Sequence, residues 1–207
     1  MLFRMQSPRN SLNTRNSRTY VIIGTAIMAA LSIIMDLLPL PRVVWGMKID
    51  LVGAIWVLSF FLYGLKSALG VSSIVAIYIA MFSSTGYVGA VMKFVATVPM
   101  FLVPAIMIHL PFFHRREANT FSRLIVIIAA TILASVARLF VATTVNLYWA
   151  IPIWYGMTSG EVLAQFGGIV PLIVFVASLN VVQGIVDIVV SWALAFKLKL
   201  SQYFGAW

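Results

Sequence analysis

Near the end of the chain, four polar side chains recur at helical spacing: Asn180, Gln183, Asp187 and Ser191. Intervals of three and four residues place side chains on one face of a helix, so these residues form a polar stripe in an apolar segment. The carboxamides of Asn180 and Gln183 both donate and accept hydrogen bonds, which suits the recognition of a polar small molecule. We expect a structural role for Asp187, as the partner of a serine or of a buried cation.

A second row with helical spacing, which contains Ser135, Arg138 and Asn146, lies in the preceding apolar segment. Lys93 lies in an apolar segment earlier in the chain. Polar groups at membrane depth are costly and are usually kept for binding or for pairing inside the protein. We predict a cavity, open to the outside, whose lining residues are Lys93, Arg138, Asn146, Asn180 and Gln183. The alternative is that these groups only bond to one another between helices, at about 0.6 kcal/mol each.

The residue patterns of enzymes are missing from the sequence. It contains no paired carboxylates, no His-Glu-x-x-His and no serine nucleophile turn, and Gly64-Leu65-Lys66-Ser67 lacks the glycines of a phosphate-binding loop. There is no cysteine, and His109 and His114 have no carboxylate at metal-ligand spacing. We therefore expect no catalytic residue, no metal, no resident cofactor and no ATP hydrolysis by this chain, and a small membrane enzyme is the disfavoured alternative.

The elements that position these residues are apolar segments. Hydrophobic residues make up 62% of the 207 residues, and charged residues only 9%, whereas a helix that crosses a bilayer needs about 20 apolar residues. The sequence predicts an all-α integral membrane protein with six transmembrane helices, near residues 20–38, 51–65, 67–83, 87–110, 123–147 and 170–196. One alternative is that 51–65 is re-entrant.

The cationic residues indicate the orientation. The net charge is +9, but the 14 Lys and Arg residues are dispersed between the apolar segments and form no basic patch, so no nucleic-acid partner is expected. They are concentrated in the tail, in the second and fourth connections and at the C-terminus, which the positive-inside rule assigns to the cytoplasm. The predicted organisation is a basic cytoplasmic tail (1–19), a six-helix membrane domain (20–197) and a short C-terminal tail (198–207), in the cell membrane.

Three shorter patterns concern the cavity mouth, one connection and the first helix. Aromatic residues are predicted to ring the cavity mouth, although Trp and Tyr also gather at membrane interfaces without any ligand; they are Trp45, Tyr87, Tyr148, Trp149, Trp154 and Tyr155. Thr158 and Glu161 have capping-box spacing, which predicts a short surface helix after them. Ala26 and Ala30 are four residues apart on the first helix, where small residues let another helix approach closely.

Several motifs resemble one known family. Over residues 20–197 the chain is similar to the substrate-binding S-components of energy-coupling factor vitamin transporters, in particular the riboflavin-specific branch. The motifs are Met47-Lys48-Ile49-Asp50, Ser84-Thr85-Gly86-Tyr87-Val88-Gly89 with Phe94, Ala137-Arg138 through Asn146-Leu147-Tyr148 to Pro152 and Tyr155, and Leu179-Asn180 through Gly184.

The resemblance implies a function. Asn146 and Asn180 would contact the flavin ring, the first outer connection would cover the pocket, and Lys48 and Tyr148 are counted among the ligand contacts. The pair Ala26 and Ala30 would dock on a transmembrane coupling subunit, which works with two ATPase subunits. The chain would then capture riboflavin or a related vitamin from outside the cell for uptake driven by those partners.

Departures from the branch leave other ligands open. Gln183 stands where the branch usually has Lys, and Ala90 and Lys93 stand where it has Glu and Asn. For an anionic vitamin such as pantothenate, biotin or a folate, Lys93 and Arg138 would be the natural partners. A six-span scaffold that binds no small molecule is the alternative from another class.

Overall fold

The computed structural model describes residues 18–40, 48–111 and 117–207, and every regular element in these ranges is helical. The α-helices, in chain order, are α1 (Arg18–Leu37), α2 (Val52–Tyr63), α3 (Leu65–Phe82), α4 (Gly86–Thr97), α5 (Pro99–Met107), α6 (Leu124–Val145), α7 (Ile151–Tyr155), α8 (Ser159–Phe166), α9 (Ile169–Trp192) and α10 (Leu200–Phe204). A 3-10 helix, Ala118–Ser122, precedes α6. The predicted basic tail up to residue 17, and Trp45 in the first outer connection, lie outside the described residues.

Within the described ranges, five helical stretches are long and apolar enough to cross a membrane. They are Arg18–Leu37, Leu65–Phe82, Gly86–Met107, Leu124–Tyr155 and Ile169–Lys197. Each coincides with a predicted span, which confirms the all-helical fold and indicates a membrane protein.

The segment predicted as the second span is a short central helix. α2 has twelve residues and Val52 to Leu62 are all buried, including Trp56, Phe60 and Phe61. At about 1.5 Å per residue it is about 18 Å long, against about 30 Å of hydrocarbon in a bilayer. Gly64 ends it with φ 87° and ψ 179°, a conformation that essentially only glycine adopts.

α2 is apolar on all sides because other helices surround it. It contacts α1, α3 and α9, and the buried Trp56 donates a hydrogen bond from Nε1 to Ser32 Oγ of α1, at 2.9 Å. At its C-terminal end, Trp207 Nε1 donates to Phe60 O and the Ala206 N–H donates to Leu62 O, both at 2.8 Å. Phe60 O also accepts from the Gly64 N–H at 2.9 Å. The bond from Ala206 therefore supplies a partner for a carbonyl of the last helical turn, whereas the bond from Trp207 is a second one on Phe60 O.

Two local features follow α6 along the chain, and the first positions a residue of the site. A π-helical turn, Asn146–Ala150, continues α6 and leads through Pro152 into α7. Such turns are rare and often occur at functional sites, and this one begins at Asn146. The predicted surface helix is confirmed as α8, whose Thr158 and Glu161 form a complete capping box.

Candidate functional site

A cavity lies beside the N-terminal end of α2. Its polar lining residues are Asp36, Lys48, Ser83, Thr85, Lys93, Thr97, Arg138, Asn146, Asn180 and Gln183, and its apolar part includes Ile79, Met92, Ala96, Trp154 and Leu179. Its volume is about 110 Å³, several times the roughly 10–15 Å³ that one water molecule requires on the same measure. The space is therefore sufficient for more than one trapped water molecule.

Most of the predicted ligand contacts meet in this one cavity. Lys48, Lys93 and Arg138 line it, together with the three carboxamide residues of the predicted site. They come from α4, α6, the π-helical turn, α9 and the segment that precedes α2. Tyr148 is the exception, because its side chain is 68% exposed and it does not line the cavity.

Asn146 and Asn180 retain hydrogen-bonding capacity. Asn146 donates from Nδ2 to Ala142 O at 2.8 Å, and its Oδ1 has no partner among the described residues. Asn180 donates to Val176 O at 2.9 Å and accepts from Arg138 Nε at 3.1 Å. A carboxamide has two donor and two acceptor positions, so Asn180 has one of each left for a ligand.

Gln183, in contrast, is engaged with the protein. Its Oε1 accepts from the Asp50 N–H at 3.0 Å, and its Nε2 donates to Asp50 O at 2.8 Å and to Asp187 Oδ1 at 2.7 Å. The side chain thus binds both main-chain groups of Asp50 and ties α9 to the start of α2. Its evident role is to hold the wall of the cavity.

Asp187 has the structural role expected of it. The fully buried carboxylate accepts from Arg138 Nη1 at 2.9 Å as well as from Gln183. Gly53 of α2 makes room for it, because a Cβ at position 53 would lie 2.5 Å from Asp187 Oδ1. The paired charges cost less to bury than either one alone.

A second ionic cluster also contributes residues to the wall of the cavity. Lys48 Nζ lies 2.7 Å from Asp36 Oδ1 and 3.8 Å from Asp50 Oδ2, and Lys93 forms a short ion pair with the same Asp50 oxygen. Asp50 Oδ1 accepts from the Val52 N–H at 3.0 Å. This cluster links the end of α1, the start of α2 and α4.

Sequence reasoning missed several residues of the site. Asp36 and Asp50 were not predicted as partners of Lys48 and Lys93, and the hydroxyls of Ser83, Thr85 and Thr97 were not counted in the lining. One signal was present in the sequence. It has only five Asp and Glu residues, and three of them belong to this site.

Of the aromatic residues predicted to surround the cavity mouth, only some lie there among the described residues. Trp154 lines the cavity. The Tyr87 ring lies 6.3 Å from that of Trp149, but Tyr87 and Tyr155 are exposed. These exposed rings fit the interfacial alternative.

Ala26 and Ala30 lie on the outer surface of α1, away from the cavity. Both are exposed, and so are Ile22, Ile27 and Ile34 on the same helix. The pair is therefore accessible to lipid or to another helix.

The arrangement is suited to binding a small polar molecule between carboxamides and an apolar wall. No protein-family model, no curated protein and no solved structure matches this chain. The chemistry of the cavity is thus the basis for a functional assignment.

Proposed function

We propose that this protein is a membrane substrate-binding subunit that captures an uncharged vitamin, riboflavin being the best candidate. In this proposal it is the S-component of an energy-coupling factor transporter in the cell membrane. The proposal has six crossings, the second made by α2 together with the non-helical residues 48–51 that precede it, since such backbone is tolerated at membrane depth where protein surrounds it. Both termini are cytoplasmic in this proposal. The observation that carries the proposal is the convergence of Asn146 and Asn180 on one cavity that also has an apolar wall.

The hydrogen-bonding groups of the cavity match a flavin. The pyrimidine edge of the ring alternates donors and acceptors, and the unused positions of Asn146 and Asn180 include both kinds. Trp154, Met92 and Leu179 offer an apolar surface for the dimethylbenzene end.

The charges of the site favour an uncharged ligand over an anionic vitamin. Lys93 and Arg138, the expected partners of an anion, are already paired with Asp50 and Asp187. An anion would have to compete with those carboxylates for its cations.

The energy for uptake would come from partners. We propose that a transmembrane coupling subunit docks on the face of α1 that carries Ala26 and Ala30, and that two ATPase subunits drive the complex. ATP-driven vitamin uptake by this chain alone would contradict this part of the proposal.

Purified protein provides the test. We expect a yellow preparation that releases a fluorescent flavin on denaturation. When the protein freed of ligand is added to riboflavin, the fluorescence of the riboflavin should be quenched. A colourless preparation that binds no vitamin in a calorimetric screen would contradict the proposal and favour a scaffold.

A variant tests the binding pose. Asn180→Ala should weaken riboflavin binding about fivefold or more, because it leaves a polar edge of the ligand unmatched at a cost of more than about 1 kcal/mol. Ser178→Ala is the matched control, since the Ser178 hydroxyl is exposed and bonds only to Phe175 O of its own helix. Equal affinities of the two variants would argue against the pose.

A further inference from the structure

The wall of the cavity has more cations than acids on its surface. Lys48, Lys93 and Arg138 line it, whereas Asp36 is the one carboxylate among the described lining residues. Asp50 and Asp187 lie directly behind the wall, with side chains that are fully buried. From inside the cavity the site would therefore attract anions, were it not for these two buried acids.

The positive and negative charges are equal in number when the buried carboxylates of Asp50 and Asp187 are counted with the lining residues. Lys48 pairs with Asp36, Lys93 with Asp50 and Arg138 with Asp187. Lys93 is the least buried of the three cations, with a side chain 19% exposed against 9% for Lys48 and 5% for Arg138. It is the cation best placed to meet a ligand, and Asp50 neutralises it.

From these contacts we infer that Asp50 determines the charge selectivity of the cavity: by pairing with Lys93 it reserves the site for uncharged ligands. Without that carboxylate, the Lys93 ammonium faces the cavity with an unbalanced charge and binds an anion. The inference rests on the proposed function, since it concerns the ligand of the same cavity.

The surroundings of Asp50 allow its negative charge to be removed without loss of the hydrogen bonds that hold its main chain. Its main chain is held by Gln183 through two hydrogen bonds, and its Oδ1 accepts from the Val52 N–H. An Asn side chain has the same shape and retains that acceptor oxygen. Asp50→Asn therefore removes the negative charge while the start of α2 keeps its hydrogen bonds.

The first test uses inorganic phosphate as the probe and thermal unfolding of the purified protein as the readout, against gluconate at equal ionic strength. Phosphate should stabilise Asp50→Asn at concentrations about tenfold or more below those that affect the unaltered protein, because charge-assisted hydrogen bonds are the strong ones. Glu117→Gln is the matched control, since it makes the same change of charge at an exposed position that does not line the cavity.

Two further variants make the result decisive. Asp50→Asn combined with Lys93→Met should lose the response to phosphate, because both charges are gone. If Asp50→Asn does not fold, Asp36→Asn leaves Lys48 and Lys93 to share the single carboxylate of Asp50, so the same net positive charge faces the cavity and the variant should respond to phosphate. Equal responses of Asp50→Asn, Glu117→Gln and the unaltered protein would overturn the inference, as would a response that survives the loss of Lys93.

A comparison of two flavins tests this inference separately from the proposed function. The ratio of affinities for flavin mononucleotide and riboflavin should rise about tenfold in Asp50→Asn, since only the former carries a phosphate. If neither the unaltered protein nor Asp50→Asn binds either flavin, the proposed ligand is wrong. The phosphate experiment then still decides whether Asp50 excludes anions.

Discussion

At the scale of single residues, Gly53 determines how closely α2 approaches the buried carboxylate of Asp187. A Cβ at this position would lie 2.5–2.7 Å from the three carboxylate atoms. Real Cβ atoms do not come so close, so any larger residue must displace either the helix or the ion pair with Arg138. Gly53 is thus part of the site, although it has no functional group of its own.

Gly53→Ala should lower the free energy of unfolding by about 1–3 kcal/mol, the usual cost of overpacking a filled interior. Gly160→Ala is the control, because a Cβ there would have its nearest neighbour 3.9 Å away. Thermal unfolding in detergent, followed by circular dichroism, measures both variants. Equal stability of the two would show that Asp187 moves aside without cost.

Residue spacing predicted part of this site and not the rest. Asn180, Gln183 and Asp187 share a helical face, and that pattern is visible in the sequence. The partners of Lys48 and Lys93 were not predictable, because Asp36, Asp50 and Lys93 belong to three different elements and meet only through packing. The free capacity of Asn180 and the engagement of Gln183 likewise depend on side-chain geometry that spacing does not encode.

At the scale of elements, the capping box of α8 makes this helix sensitive to acid. Thr158 donates from its N–H, at 2.6 Å, and from its hydroxyl, at 2.9 Å, to Glu161 Oε2. These bonds, the main-chain one first, lower the pKa of the exposed Glu161 from its usual 4.5. At pH values above the pKa that Glu161 has in the unfolded chain, the ionised carboxylate stabilises the folded helix. This stabilisation is lost as the pH falls through the lower pKa of the folded state.

We expect the start of α8 to loosen below about pH 4.5. Amide hydrogen exchange of residues 159–166, corrected for the intrinsic effect of pH, should accelerate over that range. Glu161→Gln keeps an oxygen acceptor but does not titrate, so the same correction should leave its exchange flat. A pH dependence that persists in Glu161→Gln would assign the effect to another group.

All six predicted segments contain a helix near the predicted position, but the shortness and complete burial of α2 (Val52–Tyr63, within the predicted 51–65) were not predictable. Apolar length and proline breaks located the five long stretches, because both are local properties of the chain. α2 differs because its twelve residues are apolar on every side, so the sequence does not distinguish a buried helix from a membrane span. The π-helical turn at Asn146 was also not predicted, since a shift from four-residue to five-residue hydrogen bonding leaves no pattern in residue type.

At the scale of the whole molecule, the central helix α2 has different surroundings at its two ends. Its N-terminal end borders the cavity. At its C-terminal end, the Trp207 ring packs 5.2 Å from that of Phe60, within an aromatic group that also contains Phe61, Phe121 and Phe196. The two ends of the helix should therefore respond independently to substitution.

Trp207→Ala should lower the free energy of unfolding by about 1–2 kcal/mol, since it removes the hydrogen bond to Phe60 O and an aromatic contact. Affinity for riboflavin, the proposed ligand, should stay unchanged, because Trp207 does not line the cavity. Tyr203→Ala is the control, as that side chain is 62% exposed on the same terminal segment. Fluorescence titration and thermal unfolding of both variants separate the two effects, and weaker riboflavin binding by Trp207→Ala alone would show that the ends are coupled.

The three matched charge pairs also have an electrical consequence. A membrane voltage of 100 mV does about 2.3 kcal/mol of work on one elementary charge that crosses it entirely. Because the three cations and three carboxylates sum to zero, the pocket with the uncharged ligand that we propose would present no net charge to that field. Movement of the filled pocket from one face of a polarised membrane to the other would then neither draw on the cell's voltage nor oppose it.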